Sequence, residues 1–133
     1  MSLWDLYRKL VKSSPTRELE ASTFRELARD ITWLVKTIHD KGYVHRDIKP
    51  DNILIGRTGN LVFADFGTAG RTMVTVNIPC GTPEFAAPET WNNNEKKNGR
   101  QLDMWSLGAT LVWLKGGVVS LTLDPSDKAT YSV

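Results

Sequence analysis

The chain has 133 residues, enough for one small domain with a hydrophobic core of its own. Its 41% hydrophobic and 24% charged residues are typical of globular proteins, and a net charge of +2 does not indicate a nucleic acid or an anionic membrane as partner. A single cysteine, Cys80, excludes an internal disulfide, and neither a membrane span nor a signal peptide is evident. We therefore expect a cytoplasmic or nuclear location.

Two helices are predicted before the first glycine. The first has apolar residues at steps of three and four over 3–11, and the second has the same pattern over 24–38. Thr23 and Glu26 are spaced as a capping box near the start of the second helix. Gly42 follows its last turn and is expected to end it.

Short strands and loops are predicted next. The strands are Tyr43–Val44, Ile53–Ile55 and 61–64, and residues 67–88 form a long ordered loop without a sustained period. Residues 92–100 are polar and are expected at the surface, where a solvated loop accounts for Lys96, Lys97 and Arg100. Residues 103–114 are apolar on every side, which predicts a helix at the centre of a domain. Residues 118–133 have weak strand character.

The strongest chemical signal is an octet in the first loop: His45, Arg46, Asp47, Ile48, Lys49, Pro50, Asp51, Asn52. Asp47 can meet a substrate hydroxyl, and Lys49 places a cation two residues away. Asn52 supplies a neutral oxygen that suits Mg²⁺. Phosphoryl transfer requires such an acceptor, cation and metal ligand together. The alternative, a surface loop of mixed charge, is disfavoured by the motifs that follow.

A second motif, Asp65-Phe66-Gly67, follows the predicted strand 61–64. The strand is expected to deliver Asp65 to a partly buried position, where a carboxylate is costly unless it is paired or binds metal. Gly67 allows a sharp turn. Thirteen residues separate Asn52 from Asp65, enough for a strand, a turn and a returning strand. The two oxygen ligands are therefore predicted to meet at one end of a hairpin.

Two further motifs complete the pattern. Residues 81–89 read Gly-Thr-Pro-Glu-Phe-Ala-Ala-Pro-Glu, which alone could be a proline-rich loop without a role. Asp103 opens the predicted buried helix and can cap it or hold a neighbouring loop through backbone N–H groups. In this order and spacing, the four motifs resemble eukaryotic protein kinases over roughly residues 3–114.

The resemblance implies an α+β fold. Residues 1–117 would form a partial kinase domain, the mainly helical large lobe with short β-hairpins, and residues 118–133 a tail unlike kinases. It also implies a Ser/Thr protein kinase that transfers the γ-phosphoryl group of ATP, with Mg²⁺, to proteins. Lys49 after Asp47 favours Ser/Thr over Tyr specificity, as does Thr82.

The resemblance implies a role for each motif residue. Asp47 would be the catalytic base, Lys49 would contact the phosphoryl group, and the Thr82 hydroxyl would bond both. Asn52 and Asp65 would hold Mg²⁺. The adenine floor, the regulatory stack, the turn after Asp65, the phosphorylation-linked cation, the ion pair of the third motif and the anchor of the catalytic loop would come from Leu54, His45 with Phe66, Gly67, Arg46, Glu89 and Asp103, respectively.

Some parts of a kinase domain are not visible in these residues. No glycine-rich loop, strand lysine or helix glutamate covers the phosphates, and the later helices are not seen. We therefore predict that this chain alone binds Mg-ATP weakly and has little activity. The usual arginine partner of Glu89 is not visible, so we expect this residue to be solvated or its segment to be loose. Ile78 stands at the usual phosphorylation site.

Two other functions remain open. A non-catalytic kinase-like protein could bind a complete kinase or its substrates as a decoy, although such a role does not need the intact catalytic residues. A small-molecule phosphotransferase of related fold is disfavoured by the peptide-positioning segment 82–89. For the kinase itself, the expected partners are a protein substrate and either a small lobe or a second copy of the chain.

Overall fold

The computed structural model describes residues 1–71, 81–91, 97–116, 122–123 and 131–132. The predictions for Ile78, Cys80 and Lys96 lie outside these residues. The helices are α1 (Leu3–Ser13), α2 (Ala21–Asp40) and α3 (Gly99–Gly116), and the strands are β1 (Tyr43–Val44), β2 (Ile53–Ile55), β3 (Leu61–Phe63), β4 (Gly70–Arg71), β5 (Thr122–Leu123) and β6 (Tyr131–Ser132).

Helix α1 follows the predicted pattern and begins at a capping box. The Ser2 hydroxyl accepts from the Asp5 backbone N–H at 3.2 Å, and the Ser2 N–H donates to the Asp5 carboxylate at 3.1 Å. These hydrogen bonds, the one from the Ser2 backbone first, lower the pKa of Asp5. On the inner side of α1, Tyr7 packs against Trp113 of α3 with ring centroids 4.5 Å apart.

Helix α2 begins earlier than predicted. The Phe24 N–H already donates to the Glu20 carbonyl at 2.9 Å, so Glu20 is the N-cap residue and the helix starts at Ala21. The predicted capping box of Thr23 and Glu26 is therefore wrong, because both residues lie inside the helix. The C-terminal end agrees with prediction, since Gly42 follows with φ of 84°.

Strands β2 and β3 form the predicted antiparallel hairpin. Ile53 is opposite Phe63, and both are buried against the helices. Leu54 is opposite Val62, and the alternation of side chains places both on the outer face of the hairpin. Two further antiparallel pairs, β1 with β4 and β5 with β6, bring together distant parts of the chain.

Helix α3 starts four residues before its predicted start. The Asn98 side chain caps it by accepting from the Arg100 N–H at 3.0 Å. Gly99 packs closely against β1, because a Cβ atom at this position would lie 2.7 Å from a Val44 methyl group. Lys97 is also buried, so the prediction that 92–100 is a surface loop is wrong at both residues.

The prediction that α3 is buried on every side is also wrong within the described residues. Met104 and Val112, eight residues apart, are 54% and 49% exposed on its outer face. The inner face joins α1, α2 and the hairpin in one hydrophobic core, built from Leu3, Leu27, Ile31, Val35, Ile48, Ile53, Phe63, Leu107, Trp113 and Leu114. None of the described helices is both long and apolar enough to cross a lipid bilayer.

Candidate active site

The catalytic loop is held by one buried carboxylate. Asp103, fully buried in α3, accepts from the backbone N–H groups of His45 at 2.9 Å and Arg46 at 2.8 Å. Its Oδ2 also lies 2.8 Å from Nε2 of His39 on α2. The predicted contact between Asp103 and the catalytic loop is therefore present, and its cost of desolvation is offset by three hydrogen bonds.

The His45 ring links the catalytic loop to the segment that carries Asp65. Its Nδ1 accepts from the Asp47 N–H at 3.2 Å, so this nitrogen bears no proton. Nε2–H is then the donor to the Ala64 carbonyl at 2.9 Å. The ring also stacks at 5.2 Å from Phe66, which is the contact expected of the predicted pair.

The three residues predicted to be catalytic meet at one point. The Lys49 ammonium donates to the Thr82 hydroxyl at 2.7 Å, and this hydroxyl donates to Asp47 Oδ1 at 3.1 Å. The ammonium also lies 4.0 Å from Asp47 Oδ2. The carboxylate can therefore accept a hydroxyl proton while a cation stands beside the same oxygen.

The two predicted metal ligands lie at the same end of the hairpin. The Asn52 carbonyl accepts from the N–H of Ala64, the residue before Asp65, at 2.8 Å. The Asn52 amide nitrogen donates to the Asp47 carbonyl at 2.8 Å, which fixes the side chain so that its oxygen points away from that carbonyl. An amide oxygen beside a carboxylate suits Mg²⁺, which uses one or two protein ligands together with phosphate oxygens.

Asp65 is exposed, so the prediction that it is partly buried is wrong. The backbone turns into the left-handed region at this residue, with φ 54° and ψ 73°, and the side chain turns outward. Its Oδ1 accepts from the Gly67 N–H at 3.3 Å, which holds the turn. The carboxylate thereby remains open to solvent and to a cation.

The remaining predicted residues line the edges of this site. Leu54 is half-buried on the outer face of the hairpin, beside exposed Val62. Arg46 has φ of 71° and donates to the Ala69 carbonyl at 3.5 Å. Glu89 is exposed, in agreement with the expected solvated position.

Sequence reasoning missed three functional contacts. Ser106 of α3 donates to the Phe85 carbonyl at 2.6 Å, and Lys97 donates to the Thr90 carbonyl at 3.0 Å. Neither has a sequence signal, since Lys97 stands in a polar stretch and Ser106 in an apolar helix. His39 did have a signal, because it continues the buried series at steps of four along α2.

The comparisons with known proteins agree with this site. The protein kinase domain family matches residues 2–130, so the chain belongs to that family. The match continues past residue 117, and the predicted domain boundary there stays a prediction.

Named relatives are Ser/Thr kinases. The chain is 47% identical over 92 residues to serine/threonine-protein kinase ppk34 of Schizosaccharomyces pombe, covering 67% of this chain and 26% of that protein. It is 35% identical over 130 residues to CBL-interacting serine/threonine-protein kinase 8 of Arabidopsis thaliana, covering 95% and 28%. It is 40% identical over 98 residues to the citron Rho-interacting kinase of Mus musculus, covering 68% and 5%. The chain thus spans about a quarter or less of the length of most of these relatives.

Proposed function

We propose that the protein transfers the γ-phosphoryl group of ATP to Ser or Thr side chains of proteins. The observation that carries this proposal is the Thr82 hydroxyl, which donates to Asp47 at 3.1 Å and accepts from Lys49 at 2.7 Å. A substrate hydroxyl needs the same two neighbours: an oxygen that takes its proton and a cation that stabilises the phosphoryl charge. We further propose that residues 1–117 belong to the large lobe of the kinase domain.

In this proposal each residue keeps its predicted role. Asp47 orients the acceptor and takes its proton, and Lys49 contacts the phosphoryl oxygens. Asn52 and Asp65 would hold Mg²⁺, which supplies charge neutralisation on the phosphates when bound. Leu54, with Val62 beside it on the outer face of the hairpin, would lie under the adenine ring.

We also propose that a partner must cover this face before the site works. Phe66 is 56% exposed and Val62 is 40% exposed beside the site, so apolar surface there remains open to water. A kinase small lobe or a second copy of the chain would cover it. This open face supports weak nucleotide binding by the chain alone, and the cytoplasm or nucleus as its location stays part of the proposal.

Calorimetry with Mg-ATP tests the proposed site. We expect weak binding by the chain alone and tighter binding after a separately produced kinase small lobe is added. Asp65→Ala should abolish binding in both conditions, because it removes a metal ligand. Asp51→Ala is the matched control, since this exposed acid lies in the same loop but has no assigned ligand role.

The outcomes separate the two functions that remain open. Loss of binding in Asp65→Ala alone supports the kinase site, whereas equal affinities of the two variants contradict it. Robust phosphorylation of a protein substrate by the chain alone would contradict the need for a partner. No binding under any condition favours the second function, a non-catalytic protein that binds a complete kinase or its substrates; the exposed Phe66 provides a surface for that role.

A further inference from the structure

Residues 81–91, here called the acceptor segment, meet the catalytic loop at their first two residues. Gly81 has φ of 112°, and a Cβ atom there would lie 3.1 Å from the Arg46 carbonyl oxygen. Thr82 follows with its bonds to Asp47 and Lys49. This end of the segment is therefore fixed by close backbone approach and by two side-chain hydrogen bonds.

The middle of the acceptor segment is tied to α3. The backbone N–H groups of Phe85 and Ala86 both donate to the Thr82 carbonyl at 2.9 Å, which closes a compact turn. The Phe85 carbonyl points the other way and accepts from the Ser106 hydroxyl at 2.6 Å. Because Ser106 is buried, with 5% exposure, no water competes freely for this bond.

The far end of the acceptor segment is tied by a buried cation. Lys97 is 6% exposed, and its ammonium donates to the Thr90 carbonyl at 3.0 Å. In the part of the chain that the structure describes, this carbonyl is its one hydrogen-bond acceptor and no carboxylate lies within 4.0 Å of it. Burial of an ammonium beside a neutral acceptor is costly, so this lysine does not serve global stability.

Ser106 and the anchor of the catalytic loop share one helix face. Asp103 and Ser106 are three residues apart on α3, which places them as neighbours one turn apart. One holds the catalytic loop and the other holds the acceptor segment, so the same turn of α3 sets the distance between Asp47 and the acceptor segment.

We propose that Lys97 and Ser106 are positioning residues that hold the acceptor segment against α3. Lys97 supplies the anchor at the end where Glu89 is exposed and makes no described ion pair. The claim that this segment positions a Ser or Thr acceptor rests on the proposed function. The claim that the two side chains hold the segment does not.

Hydrogen exchange of the whole chain, resolved by residue, tests the proposal without any activity measurement. Lys97→Met keeps the aliphatic stem and should speed exchange of the Thr90 amide about tenfold. Ser106→Ala should do the same for the Phe85 and Ala86 amides. Lys97→Arg should restore slow exchange, because its guanidinium keeps the donor. Lys9→Met, at an exposed position on α1, is the matched control.

Two further readouts distinguish positioning from a general loss of packing. The midpoint of thermal unfolding of Lys97→Met should stay equal or rise, since a buried charge has been removed. The methyl resonance of Thr82, which lies beside Asp47 and Lys49, should shift in Ser106→Ala and remain in place in Lys9→Met. Local loosening with an unchanged midpoint supports the proposal.

Other results overturn it. Unchanged Thr90 exchange in Lys97→Met, or faster exchange that is uniform over the hairpin β2–β3 as well, would remove Lys97 as an anchor. Failure of Lys97→Arg to restore slow exchange would show that the donor is not what matters. None of these outcomes depends on nucleotide binding, so the proposed function stands or falls separately through the Asp65→Ala experiment.

Discussion

At the scale of single residues, Asp103 determines where the catalytic residues lie. Its two carboxylate oxygens serve three donors from two other segments, and no other described side chain joins as many parts of the site. An acid in a fully buried position is stable only when its lone pairs are used in this way. The order of the catalytic loop therefore depends on the negative charge of a residue that is not part of it.

Asp103→Asn tests this dependence. The amide keeps the shape but turns one acceptor into a donor that faces other donors, so the free energy of unfolding should fall by about 3 kcal/mol. Denaturation by urea, followed through tryptophan fluorescence, measures the change. Asp51→Asn is the control on an exposed acid and should change stability by less than about 0.5 kcal/mol. Equal stability of the two variants would contradict the anchoring role.

Individual contacts were predictable where chemistry fixes the spacing. The bonds of Thr82 to Asp47 and Lys49 are as expected, because the motif residues meet at one reaction centre. The exposure of Asp65 and the burial of Lys97 were not predictable. Both depend on backbone turns and on tertiary packing, which single-residue hydropathy does not contain.

At the scale of elements, helix α3 has two glycines with opposite surroundings. A Cβ atom at Gly99 would lie 2.7 and 2.9 Å from the two Val44 methyl groups, so β1 approaches the helix there as closely as a glycine allows. A Cβ atom at Gly108 would meet nothing within 4 Å. The same substitution in the same helix should therefore have opposite effects.

Gly99→Ala should destabilise the protein by about 1–3 kcal/mol through overpacking, although alanine favours helix. Gly108→Ala should stabilise it by up to about 1 kcal/mol, because only helix propensity changes. Thermal unfolding of both variants provides the comparison. Val44→Ala combined with Gly99→Ala should recover part of the loss, and an additive double variant would argue against this contact.

Helix α1 gives a prediction for pH. The pKa of Asp5 is lowered by its hydrogen bonds from Ser2, so the ionised form is favoured in the folded protein. The resulting stabilisation is present above the unfolded pKa of 3.8 and is lost as the pH falls through the lower folded pKa. Ser2→Ala should return the pKa toward 3.8, measured by carboxyl carbon NMR, whereas Thr16→Ala should leave it in place.

Element types followed from periodicity, whereas element ends did not. The apolar steps of α1 and α2 and the two runs of the hairpin predicted the right structures. The start of α2 was misplaced because Glu20 supplies a backbone carbonyl rather than a capping side chain. The start of α3 was misplaced because its first turn is polar and buries a glycine, for which apolar periodicity gives no sign.

At the scale of the whole molecule, the face beside the site carries apolar side chains that are open to water. Val62 and Phe66 lie there at 40% and 56% exposure. The sequence predicted this openness through the kinase parts that it does not contain, but which side chains are exposed follows from the hairpin register. Met104, at 54%, is exposed on α3 instead.

We expect the purified chain to self-associate through this face at high concentration. Val62→Lys should reduce association, because a charge cannot be buried there without cost. Met104→Lys is the control of similar exposure on another element and should associate as the unchanged chain does. Light scattering over a concentration series measures both, and a monomer at every concentration would refute the expectation.

The anchor of the catalytic loop also has a consequence for folding kinetics. His39 and Asp103 are 64 residues apart in sequence, and His45 and Asp103 are 58 apart. Contacts of such separation require closure of a long stretch of chain, which is slow compared with the growth of a helix. The catalytic carboxylate and its neighbours therefore reach their positions only after α2 and α3 have docked, and secondary structure alone would not report a formed site.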